Sequence, residues 1–254
     1  MRKPFFIPIV CLGFGLCSLS SAWAGADAVK LRLSDSLANL MTEIRFEDRE
    51  PDEPTYLSRI LVLGERMRID FGQDDQGFIL FDRKANRVWH VSPSDRRLTG
   101  VAPGSVENVW PQDWVLSQES MPSETGVLSQ VRLNGALCVE FKAVPLLEKE
   151  AGLLRDYRRL LAANRALSWQ KTPEDSREPC WLAIDVQQAG IEYAQGLPLA
   201  VRYWDARSRV LQGYDKRLAR PGLFELPAGT LTVVIGAEGQ VNAESRQPAV
   251  SQTR

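Results

Sequence analysis

The sequence is poor in the residues that usually build metal and catalytic centres. It holds one histidine, His90, and four cysteines, none of them in a C-x-x-C spacing, whereas zinc sites draw their ligands from closely spaced His, Cys or acidic residues. The G-x-S-x-G pattern of serine hydrolases, a glycine loop for phosphate and the spacing of EF-hand calcium ligands are also missing. We therefore predict a protein that is not an enzyme, with no catalytic residue, no metal site and no cofactor.

An excess of charge of one sign is also missing. The 31 Lys and Arg residues are balanced by 32 Asp and Glu residues, which leaves a formal net charge of −1. A protein that binds nucleic acid needs a basic face against the phosphate backbone. We therefore expect no nucleic-acid partner.

Apolar runs long enough to cross a membrane are missing too. The run that comes nearest, Phe5 to Leu19, is shorter than the roughly 20 residues that a spanning helix needs, so we expect no stable membrane span. It follows Arg2 and Lys3 and precedes Ala22-Trp23-Ala24, which is the order of a secretory signal peptide with an A-x-A cleavage pattern. We predict that residues 1–24 are a cleaved signal peptide and that the protein is periplasmic.

Two cysteines remain after the signal peptide is removed, Cys138 and Cys180. An even number of cysteines in an exported chain favours a disulfide. The bond would close a loop of about 42 residues, which the loop-entropy model values at roughly 3–4 kcal/mol. The alternatives are two buried thiols or a metal-binding pair.

Short alternating runs between residues 29 and 101 predict a series of β-strands. From Arg66 to Phe71 apolar and charged residues alternate, which predicts one apolar face and one face of charges in water. Because the turns are closely spaced, neighbouring strands are expected to pair antiparallel. Asn134-Gly135 predicts a type I′ turn inside a hairpin from 127 to 144. Further strands are predicted at 180–187, 191–193, 199–204, 210–214 and 231–235.

One helix and several irregular segments interrupt the strands. Leucines at helical spacing between Leu146 and Leu167 predict an amphipathic helix, an insertion at about 145–170. Residues 102–125 are predicted to be a loop, in which Trp110 and Trp114 are candidate contacts for a ligand or partner. The polar tail at 236–254 is predicted to be disordered, so the folded domain is expected to span 25–235.

The apolar face of such a sheet has to be covered. If the helix and the loop leave a gap, an apolar cavity suited to a lipid or an acyl chain results. If they do not, the interior is a fully packed core. The sequence leaves both readings open.

Three stretches resemble proteins of the LolA/LolB-like superfamily of periplasmic lipoprotein carriers. Glu65 to Asp70 (ERMRID), Gly77 to Asp82 (GFILFD) and Arg87 to Leu98 (RVWHVSPSDRRL) are similar to a strand series in these exported proteins. Near the other end, GLPL at 196–199 and FELP at 224–227 resemble their late G-l-P…F-x-x-P pattern. An exported domain family of unknown function in the same group looks most similar.

The resemblance implies an α+β fold. Its strongly curved antiparallel sheet, a half-barrel, would have one long helix and loops covering the concave face. It further implies a non-enzymatic periplasmic binding or carrier protein with an apolar cavity for a lipid or a lipoprotein acyl chain, with a possible role in outer-membrane lipid or lipoprotein trafficking. The alternative is a cell-envelope assembly or protein-interaction factor that binds an envelope protein and no lipid. The cysteine pair that brackets the helical insertion and the missing lipid-attachment cysteine are departures from the carrier pattern.

Overall fold

The computed structural model describes residues 39–71, 77–104, 110–228, 230–235 and 241–245. In this part of the chain, within the unit that begins at Asn39, thirteen strands form one open, curved sheet in the order β13-β12-β6-β5-β4-β3-β2-β1-β11-β10-β9-β8-β7. The strands are Leu40–Arg49 (β1), Tyr56–Leu63 (β2), Arg66–Asp70 (β3), Phe78–Asp82 (β4), Arg87–Ser92 (β5), Arg97–Val101 (β6), Leu116–Ser123 (β7), Gly126–Leu133 (β8), Ala136–Val144 (β9), Leu197–Tyr203 (β10), Ser208–Leu218 (β11), Leu231–Ile235 (β12) and Val241–Ser245 (β13).

In the described residues two helices accompany the sheet, which makes the architecture α+β as predicted. They are Glu148–Lys171 (α1) and Pro179–Leu182 (α2), and α2 runs on into a π-turn at Ala183–Gln187. Within the described residues, none of the helices combines the length and the apolarity that a membrane crossing requires. Short 3₁₀ turns at Glu174–Ser176 and Ile191–Tyr193 complete the helical segments.

The strand pairs are antiparallel except for β6 and β12, which run parallel. The predicted turn at Asn134-Gly135 is confirmed: φ is 50° at Asn134 and 85° at Gly135, as a type I′ turn requires. Because period-two alternation sends successive side chains to opposite faces, the register of β1 to β6 defines two faces that are covered differently.

The helix face of the sheet packs against α1. Ile44, Ile60 and Phe81 are fully or almost fully buried there, together with Leu153 and Leu154 of the helix. Thr42 adds a polar contact by donating a hydrogen bond to Glu150 of α1 at 2.6 Å. The helix insertion therefore forms the centre of the core.

The opposite face is covered by the connection between β11 and β12, and we call it the crossover face. Leu223 and Phe224 of this connection pack on Leu80 and Trp89. Arg68 donates a hydrogen bond to the carbonyl of Leu223 at 3.2 Å. Three of the stretches that carried the family resemblance, 77–82, 87–98 and 224–227, thus contribute residues to one hydrophobic cluster.

This crossover corrects one expectation about charges. Arg68 and Asp70 were expected in water, but they are 3% and 1% exposed. They pair with each other at 2.8 Å, and Arg59 pairs with the same carboxylate at 2.8 Å. Arg68 also stacks on the ring of Phe78, 3.7 Å from its centroid. A segment remote in sequence buries these charges, so the alternating pattern could not reveal their environment.

At the other end of the sheet a second core lies over β8, β9 and β10. The disulfide Cys138–Cys180 joins β9 to α2, with Cα atoms 5.1 Å apart. Val131 and Phe141 pack beside it, together with Ile184 of the π-turn. The predicted disulfide is therefore present, and it ties the short helical segments to the sheet.

Three further predictions differ from the structure. Residues 180–187 and 191–193 were expected to be strands but form α2 with its π-turn and a 3₁₀ turn. The expected loop at 102–125 contains strand β7, and β13 lies inside the tail expected to be disordered. The strand and signal peptide predicted before residue 39 lie outside the described residues.

Candidate functional site

An inner pocket of about 210 Å³ lies between α1 and the helix face of the sheet. One wall is apolar and consists of Ile60 of β2, Ile69 of β3, Ile79 of β4 and Leu154 of α1. These positions follow from the alternation of the strands, which sends Ile60, Ile69 and Ile79 to the face that α1 covers. The apolar wall can hold hydrocarbon, although this pocket alone is smaller than the 300–1,000 Å³ common for ligand sites.

The opposite wall of the inner pocket is polar and starts with Asp48 on β1. Asp48 is 5% exposed and accepts hydrogen bonds from Ser58 at 2.5 Å and from Arg209 at 2.5 and 3.1 Å. Arg209 also donates to the hydroxyl of Tyr193 at 3.3 Å. Burial alone lowers the pKa of Arg209, but the electrostatic interaction with Tyr193 and the hydrogen bond and charge of Asp48 outweigh it and raise the pKa.

A second charged cluster extends the polar wall. Arg158 of α1 donates to Asp185 at 2.6 Å and lies 3.4 Å from Glu192, and Arg165 contacts the same oxygen of Asp185. Burial lowers the pKa of Arg158, but the charges of Glu192 and Asp185 outweigh burial, so the pKa is raised overall. Burial and the neighbouring Arg158 lower the pKa of Arg165. The side chains of this cluster therefore depend on one another for compensation of buried charge.

One acceptor of this wall has no partner within the described structure. Oε2 of Glu192 is buried without a hydrogen bond, in a residue that is 3% exposed. A buried carboxylate oxygen without a partner is costly. Because Glu192 lines the inner pocket, a ligand group that donates a hydrogen bond would relieve this cost.

Three tyrosines complete the inner pocket: Tyr157, Tyr193 and Tyr203. Burial raises the pKa of each of them, and for Tyr203 the charge of Glu192 raises it further. They remain neutral hydroxyls at physiological pH. The charged groups that line the pocket are three arginines and three carboxylates, namely Arg158, Arg207, Arg209, Asp48, Glu50 and Glu192.

An outer groove of about 640 Å³ adjoins the inner pocket, because Ile69 and Ile79 line both. Its other apolar members include Phe71, which is 58% exposed, and Pro93. Together we call the inner pocket and the outer groove the helix-face site. The groove brings the combined space into the range of ligand-binding cavities and gives the site an opening at the ends of β3 and β4.

His90 lies in this outer groove. It pairs with Ile79 across β4 and β5, so it faces away from Trp89, as the strand pattern predicts. Burial lowers its pKa, which keeps the imidazole neutral at physiological pH. Among the described residues, no three His, Cys, Asp or Glu side chains gather in an arrangement that could hold a metal ion.

Trp110 and Trp114 lie elsewhere, half-buried against the C-terminal part of α1. Their rings meet edge to face with centroids 5.3 Å apart, and Trp114 meets Trp169 of α1 at 6.3 Å. Nε1 of Trp110 donates to the carbonyl of Trp114 at 3.3 Å. The structure therefore places these two candidate contact residues in a packed aromatic cluster away from the helix-face site.

A further cavity of about 920 Å³ lies against β8 to β11, beneath the loop Arg49 to Glu53. Much of its lining is charged and exposed, as at Asp52, Glu53 and Arg202. No buried polar group without a partner lines it among the described residues. We therefore regard the helix-face site as the better candidate despite its smaller volume.

Sequence reasoning missed most of the residues on the polar wall. Arg158 and Arg209 look like ordinary solvated cations in helix and strand patterns, and Asp185 and Glu192 lie in segments expected to be strands. The only available signal was the density of tyrosine and arginine between 193 and 209. The apolar wall, in contrast, follows directly from the alternating strands.

No family model and no curated protein matches the chain. Among solved structures, an uncharacterised conserved protein from Thermus thermophilus has a TM-score of 0.37 at 12% identity, covering 83% of this chain and 99% of that one. A LolA superfamily protein from Nitrosomonas europaea has a TM-score of 0.30 at 10% identity, covering 74% and 87%.

A third solved structure, PNGF-II, has a TM-score of 0.37 at 10% identity. The match covers 78% of this chain and 31% of that chain, so this chain spans about a third of its length. At these TM-scores and identities none of the three similarities assigns a family or an activity to the chain. The functional argument therefore depends on the site itself.

Proposed function

We propose that the protein is a non-enzymatic binding or carrier protein of the periplasm that holds a lipid-like ligand in the helix-face site. In this proposal the curved sheet wraps around α1 as a half-barrel, and the ligand lies between the helix and the strands. The observation that carries the proposal is the site's two-sided character: an isoleucine wall on one side and, on the other, a buried polar wall with an unpartnered acceptor at Glu192.

The arrangement of the two walls gives the ligand an orientation. The polar head occupies the inner pocket, where Glu192 accepts a hydrogen bond from it, and the apolar chain extends past Ile69 and Ile79 into the outer groove. The equal numbers of cations and anions along the inner pocket favour a neutral or zwitterionic head over an anionic one, because an added net charge would lack a counter-charge at a buried site.

A blocked groove tests this proposal. Ile79→Trp places a larger side chain at the junction of pocket and groove, and we expect it to weaken binding of a fluorescent lysophosphatidylethanolamine at least about tenfold, a change of about 1.4 kcal/mol. Leu57→Trp is the matched control, because Leu57 is 56% exposed and lines neither cavity. Equal affinity of the two variants, or no binding by the unmodified protein, would contradict the proposal.

A second candidate function is a protein-interaction factor of the cell envelope. Strand β7 is the terminal strand in the order of the described sheet, and Val115 and Met121 beside and within it are 67% and 48% exposed. An extended segment of an envelope protein could add to such an edge as a further strand. Recovery of one stoichiometric protein partner from a periplasmic extract, without lipid, would favour this function.

A further inference from the structure

We propose that a second cavity, beside the C-terminal end of α1, binds a neutral sugar ring. This cavity has a volume of about 480 Å³ and shares no lining residue with the helix-face site. Three tryptophans line it: Trp169 of α1, Trp181 of α2 and Trp204, which follows β10. We call it the tryptophan cavity.

The tryptophans supply flat apolar surfaces at the edge of the fold. Each of the three side chains is half-buried rather than enclosed, so ring surface remains within reach of a ligand. One face of a hexopyranose carries C–H groups and is flat and apolar, and it packs on an aromatic ring through many dispersion contacts. The three indoles that line the cavity therefore offer apolar surface on which a sugar ring can pack.

The tryptophans are held in place before any ligand arrives. Trp181 follows Cys180, which the disulfide fixes to Cys138, and the backbone N–H of Trp204 donates to the carbonyl of Cys138 at 3.0 Å. Trp114 braces Trp169 edge to face. Binding therefore costs little side-chain ordering, which is the advantage of a preorganised site.

Of the three charged residues that line the tryptophan cavity, Arg177 and Asp205 already have partners. Arg177 lies over the ring of Trp169 at 4.6 Å and donates to the carbonyls of Thr172 and Gln170 at 2.9 and 2.8 Å, so it caps α1. Arg207 pairs with Asp205 at 2.6 Å. A cationic ligand would meet Arg177 here, and an anionic ligand would meet the carboxylates of Glu178 and Asp205.

A neutral ligand rich in hydroxyl groups fits this balance. The carboxylates of Glu178 and Asp205 accept hydrogen bonds, and the hydroxyls of Thr172 and Ser176 both donate and accept. Nε1 of Trp169 is a buried donor that lacks an acceptor within the described part of the chain, and a ligand hydroxyl can supply one. These groups surround the indole surfaces, so a ring with apolar faces and a rim of hydroxyls matches them. A neutral saccharide has this combination.

The test is calorimetric titration of the full chain with chitotetraose and with maltotetraose at millimolar concentrations. We expect binding of at least one of them, and a loss of at least about tenfold in affinity in Trp181→Ala. Glu178→Gln should weaken binding severalfold, whereas Glu174→Gln should not, because Glu174 is exposed outside the cavity. Both carboxylate variants change exposed side chains, so they remain informative if the tryptophan variant fails to fold.

Three results would overturn the proposal. They are no heat with either saccharide, equal affinity of Glu178→Gln and Glu174→Gln, and tighter binding of tetramethylammonium than of the saccharides, which would identify a cage for cations. Lysophospholipid binding is measured in the same variants and should be unchanged in Trp181→Ala. The saccharide site and the helix-face site can therefore fail independently.

Discussion

The disulfide between Cys138 and Cys180 joins residues 42 positions apart, and its reduction is predicted to cost a large share of the stability. The loop-entropy model assigns a loop of this length roughly 4 kcal/mol at 25 °C. The thiols released by reduction stay in place, since Cys138 is 0% and Cys180 9% exposed, so no cavity or exposed polar group adds to this figure. Typical domains have only about 5–15 kcal/mol of unfolding free energy in total.

The assay is urea unfolding followed by tryptophan fluorescence, with and without a phosphine reductant. The double variant Cys138→Ala/Cys180→Ala is the control, because its unfolding midpoint should not respond to reductant. We expect reduction of the unmodified protein to lower the free energy of unfolding by roughly 3–4 kcal/mol. A loss below about 1 kcal/mol would refute the reasoning, because it would mean that the second core over β8 to β10 restricts the chain equally well without the bond.

Three further predictions concern close packing, buried charge and pH. Gly100→Ala should destabilise the protein by roughly 1–3 kcal/mol, because the added Cβ would lie 2.5 Å from the ring of Trp89; an unchanged urea midpoint would contradict this. Asp185→Asn should cost roughly 3 kcal/mol, because it leaves two arginines without their shared carboxylate, and thermal unfolding at neutral pH measures it. Burial, and then the charge of Glu192, raise the pKa of Tyr203 in the folded protein. The folded state therefore loses stability as the pH rises above about 10, where the tyrosine of the unfolded chain ionises first. Tyr203→Phe should reduce this alkaline loss of stability, measured by urea midpoints at about pH 9 and about pH 11.

The strands from β1 to β6 were predictable because their pattern is local. Alternation and turn residues between Met41 and Val101 place each strand within a few residues of its observed bounds. The Asn134-Gly135 turn and the leucine spacing of α1 are local signals of the same kind. Local physics thus determines most of the sheet and its one long helix.

The segments that were predicted wrongly depend on remote contacts. Residues 180–187 are rich in apolar and β-branched residues, which favours a strand, yet they form helical turns. In these turns Cys180 is bonded to Cys138, and Leu182 and Val186 pack against Ala166 of α1. In the same way, Arg68 and Asp70 lie in a strand of ordinary appearance and are buried by a connection more than a hundred residues later in the chain. Single-sequence periodicity carries no information about such partners.

The candidate site also has one part that local sequence patterns predict and one part that depends on remote contacts. Its isoleucine wall follows from strand alternation, whereas its polar wall is assembled from β1, α1, β11 and the short turns around Asp185 and Glu192. The tryptophan cavity is likewise built from residues spread between 168 and 205. Neither the polar wall nor the tryptophan cavity can be predicted without knowing which strands, helices and turns contact each other in the fold.

The most direct test of the central claim is native mass spectrometry of the full chain purified without detergent from the periplasm of producing cells. The account predicts a ligand-bound species whose mass excess corresponds to a lipid with a neutral or zwitterionic head. That species should persist in Leu57→Trp and be depleted in Ile79→Trp. An unmodified protein that carries no lipid, or that carries the same lipid in both variants, would contradict a ligand site between α1 and the sheet.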